Sequence, residues 1–361
     1  MAGMENNMLF PGKIAVITSS LMRNNETFHS AKHLIMKYGP EKIIHDTWPE
    51  NFRVEKARMI HMAEKLAGDS EVRGLIINQA LPGTNDAVAR LRELRDDIFV
   101  VYCTVVHEAV PEASALANLI LTNDELGMGR ELVDQAKKQG AKTLIHYSLT
   151  RHMAIRLYSD RYSLIEQECE KEGLQLVGVI ALDPVDDHDA ARQFILEDVP
   201  RMVALYGEDT AFFCTNCTLQ APLIRAVIDN HAIYPLPCCP SPYHGFPEAM
   251  GIDTGEDLAD LTYVVTEACR IAAEKNMTDR LSTWPVSTSM MYTSTGAEYA
   301  IKWINDEVPK TSIDNDVLRN CMKAYVKDVV GEESNVYMKS YSENGAAYEN
   351  FKLILMSYLD F

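Results

Sequence analysis

The side chains of this sequence with the widest chemical reach are its cysteines. Cys214 and Cys217 form a C-x-x-C, and Cys238 and Cys239 are adjacent. Four thiolates would suit a tetrahedral zinc ion. The C-x-x-C, however, ends a strand-like run and does not open a helix as a redox pair would, and neighbouring cysteines on an extended chain point apart. The expectation is small, buried, reduced thiols and no metal. Eight cysteines in 361 residues are too sparse for a disulfide scaffold and fit a reducing compartment. The acidic run Asp183, Asp186, Asp187, His188 and Asp189 lacks the spacing and the glycine of a calcium loop, and reads as solvated loop and helix N-cap charge.

Other groups point to recognition. Arg151 and His152 lie in T-R-H-M, just ahead of a helical pattern, where a guanidinium can grip a carboxylate or phosphate bidentately; helix-terminal polarity or an ion pair between domains is the alternative. Asn78 and Gln79 combine donors and acceptors, and suit hydroxyl, amide or heterocycle ligands without burying a charge. The L-P-G-T that follows them also allows a simple turn. Trp48, Tyr102, Tyr147, Tyr243 and Trp284 can stack on a sugar or a base, or fill a core. Catalytic signatures are missing: the sequence holds no G-x-x-x-x-G-K-[ST], G-x-S-x-G or H-E-x-x-H, and no G-x-G-x-x-G after a strand. Gly127 and Gly129 form a lone G-x-G at a helix start, read as close packing between lobes. No catalytic residue, metal or cofactor is assigned.

What must position these groups is a regular alternation. KIAVITSS leads into the helical NNETFHSAKHLIMKYG, KIIHDTW into FRVEKARMIHMAEKLAG, and RGLIINQA into DAVARLRELRDD; IFVVYCTV and ANLILTND follow. Short strands with few polar interruptions are buried on both faces, which requires a parallel sheet covered by helices. The pattern restarts at KTLIHYSLT and runs through LQLVGVIALD and TAFFCTNCTL. The class is α/β, with two Rossmann-like lobes. Residues 12–142 with 283–306 are expected to form the N-terminal lobe and 143–282 the C-terminal lobe. STWPVSTSM is a strand returning to the first lobe. Residues 307–361, read as two helices around NVYMKSYS with a strand, are assigned to neither lobe.

In such lobes ligands sit beyond the carboxyl ends of the strands. That rule selects Ser19, Ser20, Asn78, Gln79, Thr104, His107 and Asn123 on one lobe, and Ser148, Arg151, His152, Asp183, Thr215, Asn216, Ser241 and Tyr243 on the other, with Trp284 as a stacking ring. All are expected to face solvent until ligand binds.

Composition narrows the partners. Against 34 basic side chains stand 52 acidic ones, a formal charge of -18, which repels phosphate backbones and anionic lipid and argues against nucleic-acid binding by this chain alone. MAGMENNMLFPGKIAVITSS has no basic n-region or apolar h-region, and no apolar run reaches the roughly 18 residues of a membrane span. The expected location is cytoplasmic as the sequence stands, or extracytoplasmic if a leader is removed.

NQALPGT at 78–84, TRHM at 150–153, FILEDVP at 194–200, DTAFFCTN at 209–216, PSPYHGFPEAMGID at 240–253 and RLSTW at 280–284 together resemble a bacterial family of unknown function within the type I periplasmic-binding-protein superfamily. The resemblance covers about residues 12–305. It implies capture of a small polar ligand, a sugar, nucleoside or similar, by hinge closure of two lobes, with a permease or a regulatory protein as partner. The alternatives are an enzyme acting on a small polar substrate, with His107 or His152 as acid/base, and the effector-binding subunit of a transcriptional regulator.

Overall fold

The computed structural model describes residues 10–105, 109–256, 258, 260–331 and 333–361; of the candidate residues, His107 lies outside the described residues. The strands are β1 (Lys13–Thr18), β2 (Ile43–Thr47), β3 (Val72–Ala80), β4 (Phe99–Val105), β5 (Leu119–Asn123), β6 (Thr143–Ser148), β7 (Gln175–Ile180), β8 (Thr210–Cys214), β9 (Ser282–Thr283), β10 (Val336–Glu343), β11 (Ala346–Met356) and β12 (Leu359–Asp360). The chain divides into two compact units, Met1–Asn123 with Thr288–Ile354, and Asp124–Ser287 with Leu355–Phe361.

The first unit is built on a sheet ordered β10-β11-β5-β4-β3-β1-β2. Its central strands are parallel, β1 with β2 and β3, β3 with β4, β4 with β5. β1 and β3 are buried along almost their whole length, as apolar runs covered on both faces must be. Helix Asn25–Tyr38 follows β1 and starts at Asn24, whose side chain accepts from the Thr27 amide. Helices Lys56–Gly68 and Thr84–Leu94 pack on each other. Helix Thr288–Ile304 is buried around nearly its whole circumference and lies on β3 and β4. Gly296 permits this approach: a Cβ there would stand 3.1 Å from Val101 and 3.5 Å from Ile76.

The C-terminal segment differs from expectation. It holds helix Asn315–Val330 and then a β10–β11 hairpin, not two helices around NVYMKSYS. β11 runs parallel to β5, so the hairpin extends the first unit's sheet, while the last residues, Leu355–Phe361, belong to the second unit. Asn344 and Gly345 at the turn both have positive φ, 50° and 80°, which the right-handed twist of a tight hairpin requires.

The second unit carries the parallel sheet β7-β6-β8, extended by single bridges from Ala211 to Ile233 and from Tyr234 to Leu281. β9 pairs antiparallel with β12. The STWP strand thus belongs to this unit, and the return to the first unit comes at Thr288. The forward crossing falls at Asn123, ahead of the expected residue 142. The reason is helix Glu125–Lys138, which packs against helix Arg156–Glu172. Gly129 allows that packing, since a Cβ there would lie 2.9 Å from Arg161 Cγ and 3.4 Å from the Arg161 carbonyl oxygen. Gly129 is therefore explained by helix packing within one unit, not between lobes, whereas a Cβ at Gly127 would meet the Asp124 carboxylate and Leu355 Cδ1.

Candidate functional site

In the second unit, groups from the carboxyl ends of β6, β7 and β8 join into one polar network. Arg151 stands in the short helix Thr150–Met153 that follows β6. Its guanidinium holds Asp183, beyond β7, from Nε at 2.6 Å and Nη2 at 3.3 Å, the fork geometry that a carboxylate favours. Asp183 also accepts from the Val185 amide at 3.0 Å. The Arg151 hydrogen bond, then that amide, hold the Asp183 carboxyl below its ordinary value. Arg151 Nη1 lies 2.8 Å from His152 Nε2. A guanidinium only donates, so Nε2 accepts and Nδ1 carries the proton. Nδ1 lies 2.9 Å from Thr215 Oγ1, which therefore accepts and keeps its own O–H to donate. Burial, then the Arg151 cation, push the His152 pKa down, consistent with the neutral ring this network needs. His152 and Thr215 are buried, and the Arg151 side chain is 47% exposed.

The other candidates of this unit surround that network in sequence and differ in role. Ser148 is the last residue of β6 and is buried. Asn216 turns its side chain to cap the next turn, accepting from the Thr218 amide at 2.9 Å. Ser241 is buried and its Oγ accepts from the Tyr243 amide at 3.1 Å, while the Tyr243 hydroxyl donates to the Leu258 carbonyl at 2.7 Å. Trp284 is fully buried and does not face solvent. Among the other rings, Trp48, Tyr102 and Tyr147 are buried as well, and Tyr147 donates to Asp198 at 2.8 Å. The acidic run is as expected: Asp186 to Asp189 are exposed, and Asp187 caps helix His188–Tyr206.

On the first unit the strand ends are polar but partly committed. Asn78 is fully buried. Its Nδ2 donates to the Ser289 carbonyl and to Thr293 Oγ1, both at 2.7 Å, so it is not the solvated side chain the strand-end rule expects. It pins helix Thr288–Ile304 to β3, and its Oδ1 lacks a partner among the described residues. Ser19 Oγ is 3.4 Å from Gln79 Oε1, and the Gln79 carbonyl accepts from Trp48 Nε1 at 3.2 Å. Ser20 donates to Glu50. Asn123 accepts from the Tyr292 hydroxyl at 2.6 Å. Thr104, near the end of β4, has φ 53°, an uncommon conformation for a β-branched residue and one that clusters at binding sites.

The cysteines also depart from expectation. Cys214 is buried at the end of β8 and takes a hydrogen bond from Gln220 Nε2 at 3.1 Å. Cys217 and Cys239 are exposed, so the buried-thiol reading does not hold for them. The chain bends at Cys238 and Cys239, which brings their sulfurs to 3.9 Å instead of pointing them apart. Cys217, Cys238, Cys239 and His244 place one donor atom each within 4.8 Å of one another. The sequence placed Cys214 in such a group; a strand end turns it inward, and His244, six residues past Cys238, takes its place.

Residues 12–282 match the model of a protein family of unknown function, DUF3798. The chain belongs to that family. Two uncharacterized proteins of Treponema pallidum (strain Nichols) are similar to this DUF3798 member, one 29% identical over 45% of this chain and 76% of its own length, the other 25% identical over 47% and 80%. A crystal structure of a proposed transcriptional regulator from Clostridium difficile 630 matches with a TM-score of 0.86 at 22% identity, covering 98% of this chain and 99% of that one. The substrate-binding protein of a sugar ABC transport system from Bordetella parapertussis 12822 matches with a TM-score of 0.55 at 12% identity, covering 97% and 89%. These likenesses establish the α/β fold of the type I periplasmic-binding-protein kind that the sequence motifs imply. Among the described residues no helix is long and apolar enough to cross a membrane.

Proposed function

We propose that this DUF3798 protein binds a small polar molecule, a sugar, nucleoside or similar hydroxylated compound, through strand-end side chains of its units, with hinge closure as the binding step. The observation that carries this reading is the network of Arg151, His152, Asp183 and Thr215. Three strand ends contribute to it, and it offers a half-exposed guanidinium and a free hydroxyl donor already fixed in place. Such preorganisation lowers the ordering cost of recognition. The sugar-transport protein of Bordetella parapertussis, at a TM-score of 0.55, supports a polar ligand. The Clostridium difficile regulator, at 0.86, supports a second reading in which the ligand is an effector and the output lies in a partner subunit. Both ring nitrogens of His152 are engaged, which favours binding over acid/base catalysis.

Native mass spectrometry of freshly purified protein tests the proposal. A retained molecule with the mass of a polar metabolite is expected. Titration of that compound into Arg151→Ala and Thr215→Val should show binding weaker by about 1–3 kcal/mol each, the cost of losing a buried polar partner. Normal binding by both variants, or no retained mass and no thermal stabilisation by a panel of sugars and nucleosides, would overturn it.

A further inference from the structure

We propose that Cys217, Cys238, Cys239 and His244 of the second unit form a structural zinc site. Cys217 Sγ lies 3.6 Å from Cys238 Sγ and 3.6 Å from Cys239 Sγ, the latter two sulfurs are 3.9 Å apart, and Cys238 Sγ is 3.7 Å from His244 Nε2. A tetrahedral zinc ion, about 2.3 Å from sulfur and about 2.0 Å from nitrogen, sets sulfur pairs about 3.8 Å apart and sulfur–nitrogen pairs about 3.5 Å apart. Four of the six edges lie within about 0.2 Å of that tetrahedron, and all four donor atoms lie within 4.8 Å of one another. The donor set is soft and holds three sulfurs and one imidazole, which selects zinc over calcium or magnesium. Four protein donors leave no open position, the mark of a structural site.

Apolar burial does not explain the cluster, because Cys217 and Cys239 are exposed. A disulfide does not complete it either: bonding any two sulfurs leaves the third and the imidazole without a role. Binding requires thiolates, so each zinc ion captured releases up to three protons, and no oxidant or reductant is involved.

The site joins two segments that the fold has already brought together. Cys217 lies in the turn after β8, next to Thr215 and Asn216. Cys238, Cys239 and His244 lie in the proline-rich loop that carries Ser241 and Tyr243. Next to His244, Gly245 sits against the start of helix Gln220–Asp229, where a Cβ would stand 2.9 Å from Gln220 Cβ. The His244 amide donates to the Ser241 carbonyl at 3.1 Å, a turn that returns the imidazole toward the sulfurs. Zinc here clamps the loop to the turn, and with it the strand-end candidates on both.

The test uses the full chain and metal ions alone, so it is independent of any organic ligand. Protein from zinc-supplemented cultures, purified without chelator, should contain about one zinc per chain. After chelator stripping under reducing conditions, Co²⁺ alone should give the visible absorption of tetrahedral thiolate coordination, and Zn²⁺ should abolish it. Cys217→Ser and Cys239→Ser, at exposed positions, should each weaken Co²⁺ binding more than about tenfold, whereas Cys103→Ser and Cys214→Ser should not. Wild-type protein with no metal and no cobalt spectrum would overturn the proposal. So would unchanged binding in a Cys217→Ser/Cys239→Ser double variant, or peptide mapping that finds Cys217 disulfide-bonded in freshly purified protein.

Discussion

Replacing His146 by leucine removes a titrating ring from the middle of β6 and should make the second unit resistant to mild acid. His146 is buried, with neither ring nitrogen hydrogen-bonded among the described residues. Its ring packs edge-on against Tyr162 at 4.9 Å and tilted against Phe213 at 5.4 Å. Burial, then the nearby Arg161 cation, push its pKa from 6.5 down to about 3. The native state thus holds a neutral imidazole that the unfolded chain protonates first. The stability this contributes is complete above the unfolded value near 6.5 and is lost as pH falls toward about 3. At about 1.4 kcal/mol per pH unit, the loss reaches about 3 kcal/mol at about pH 4.5 and about 5 kcal/mol when complete. Urea unfolding of both proteins near pH 7 and about pH 4.5 isolates it, because carboxylates titrate alike in each and cancel in the double difference. His146→Leu should match or exceed wild type near neutrality, having removed two unsatisfied polar atoms, and exceed it by about 3 kcal/mol more at the lower pH. A double difference under about 1 kcal/mol would refute the reasoning.

Two further substitutions probe the buried polar groups. Arg161 is 2% exposed, pairs with Glu125, and lies over the Tyr158 and Phe213 rings; Arg161→Met should cost about 3–5 kcal/mol in urea unfolding by stranding that carboxylate, and Glu125→Gln in the same background should recover part of the loss. Asn78→Ala should lower the melting temperature of ligand-free protein and cost about 1–3 kcal/mol, because it leaves the Ser289 carbonyl and Thr293 hydroxyl with a partner removed; an unchanged melting temperature would show that helix Thr288–Ile304 is held without it.

The parallel α/β architecture was legible because doubly covered strands such as KIAVIT and VRGLIINQA carry apolar runs that no solvated face permits. The strand-end rule found Arg151, His152, Asp183 and Thr215 as separate candidates, and backbone topology alone brings such distant positions side by side. It misjudged Asn78, since the rule locates a residue along a strand but does not say which helix lies across it. The Asn-Gly at 344–345 is a short-range hairpin signal that the helical reading of NVYMKSYS passed over. His244 was out of reach: a metal-type cluster assembled from a turn and a loop has no fixed spacing, and only the bend at Cys238 and Cys239 reveals which sulfurs share a centre.

Each unit is assembled from two separate segments, Met1–Asn123 with Thr288–Ile354 for the first and Asp124–Ser287 with Leu355–Phe361 for the second. During synthesis the first unit's strands β1 to β5 emerge first, yet the helix that covers β3 and β4 begins only at Thr288. Until then the face formed by Ile76 and Val101 waits uncovered, and the second unit in turn waits for β12, whose Leu359 and Asp360 pair with Thr283 and Ser282. Neither unit can close before the C-terminal segment is made, and a nascent chain stalled before Thr288 presents a sticky apolar sheet of the kind that recruits chaperones.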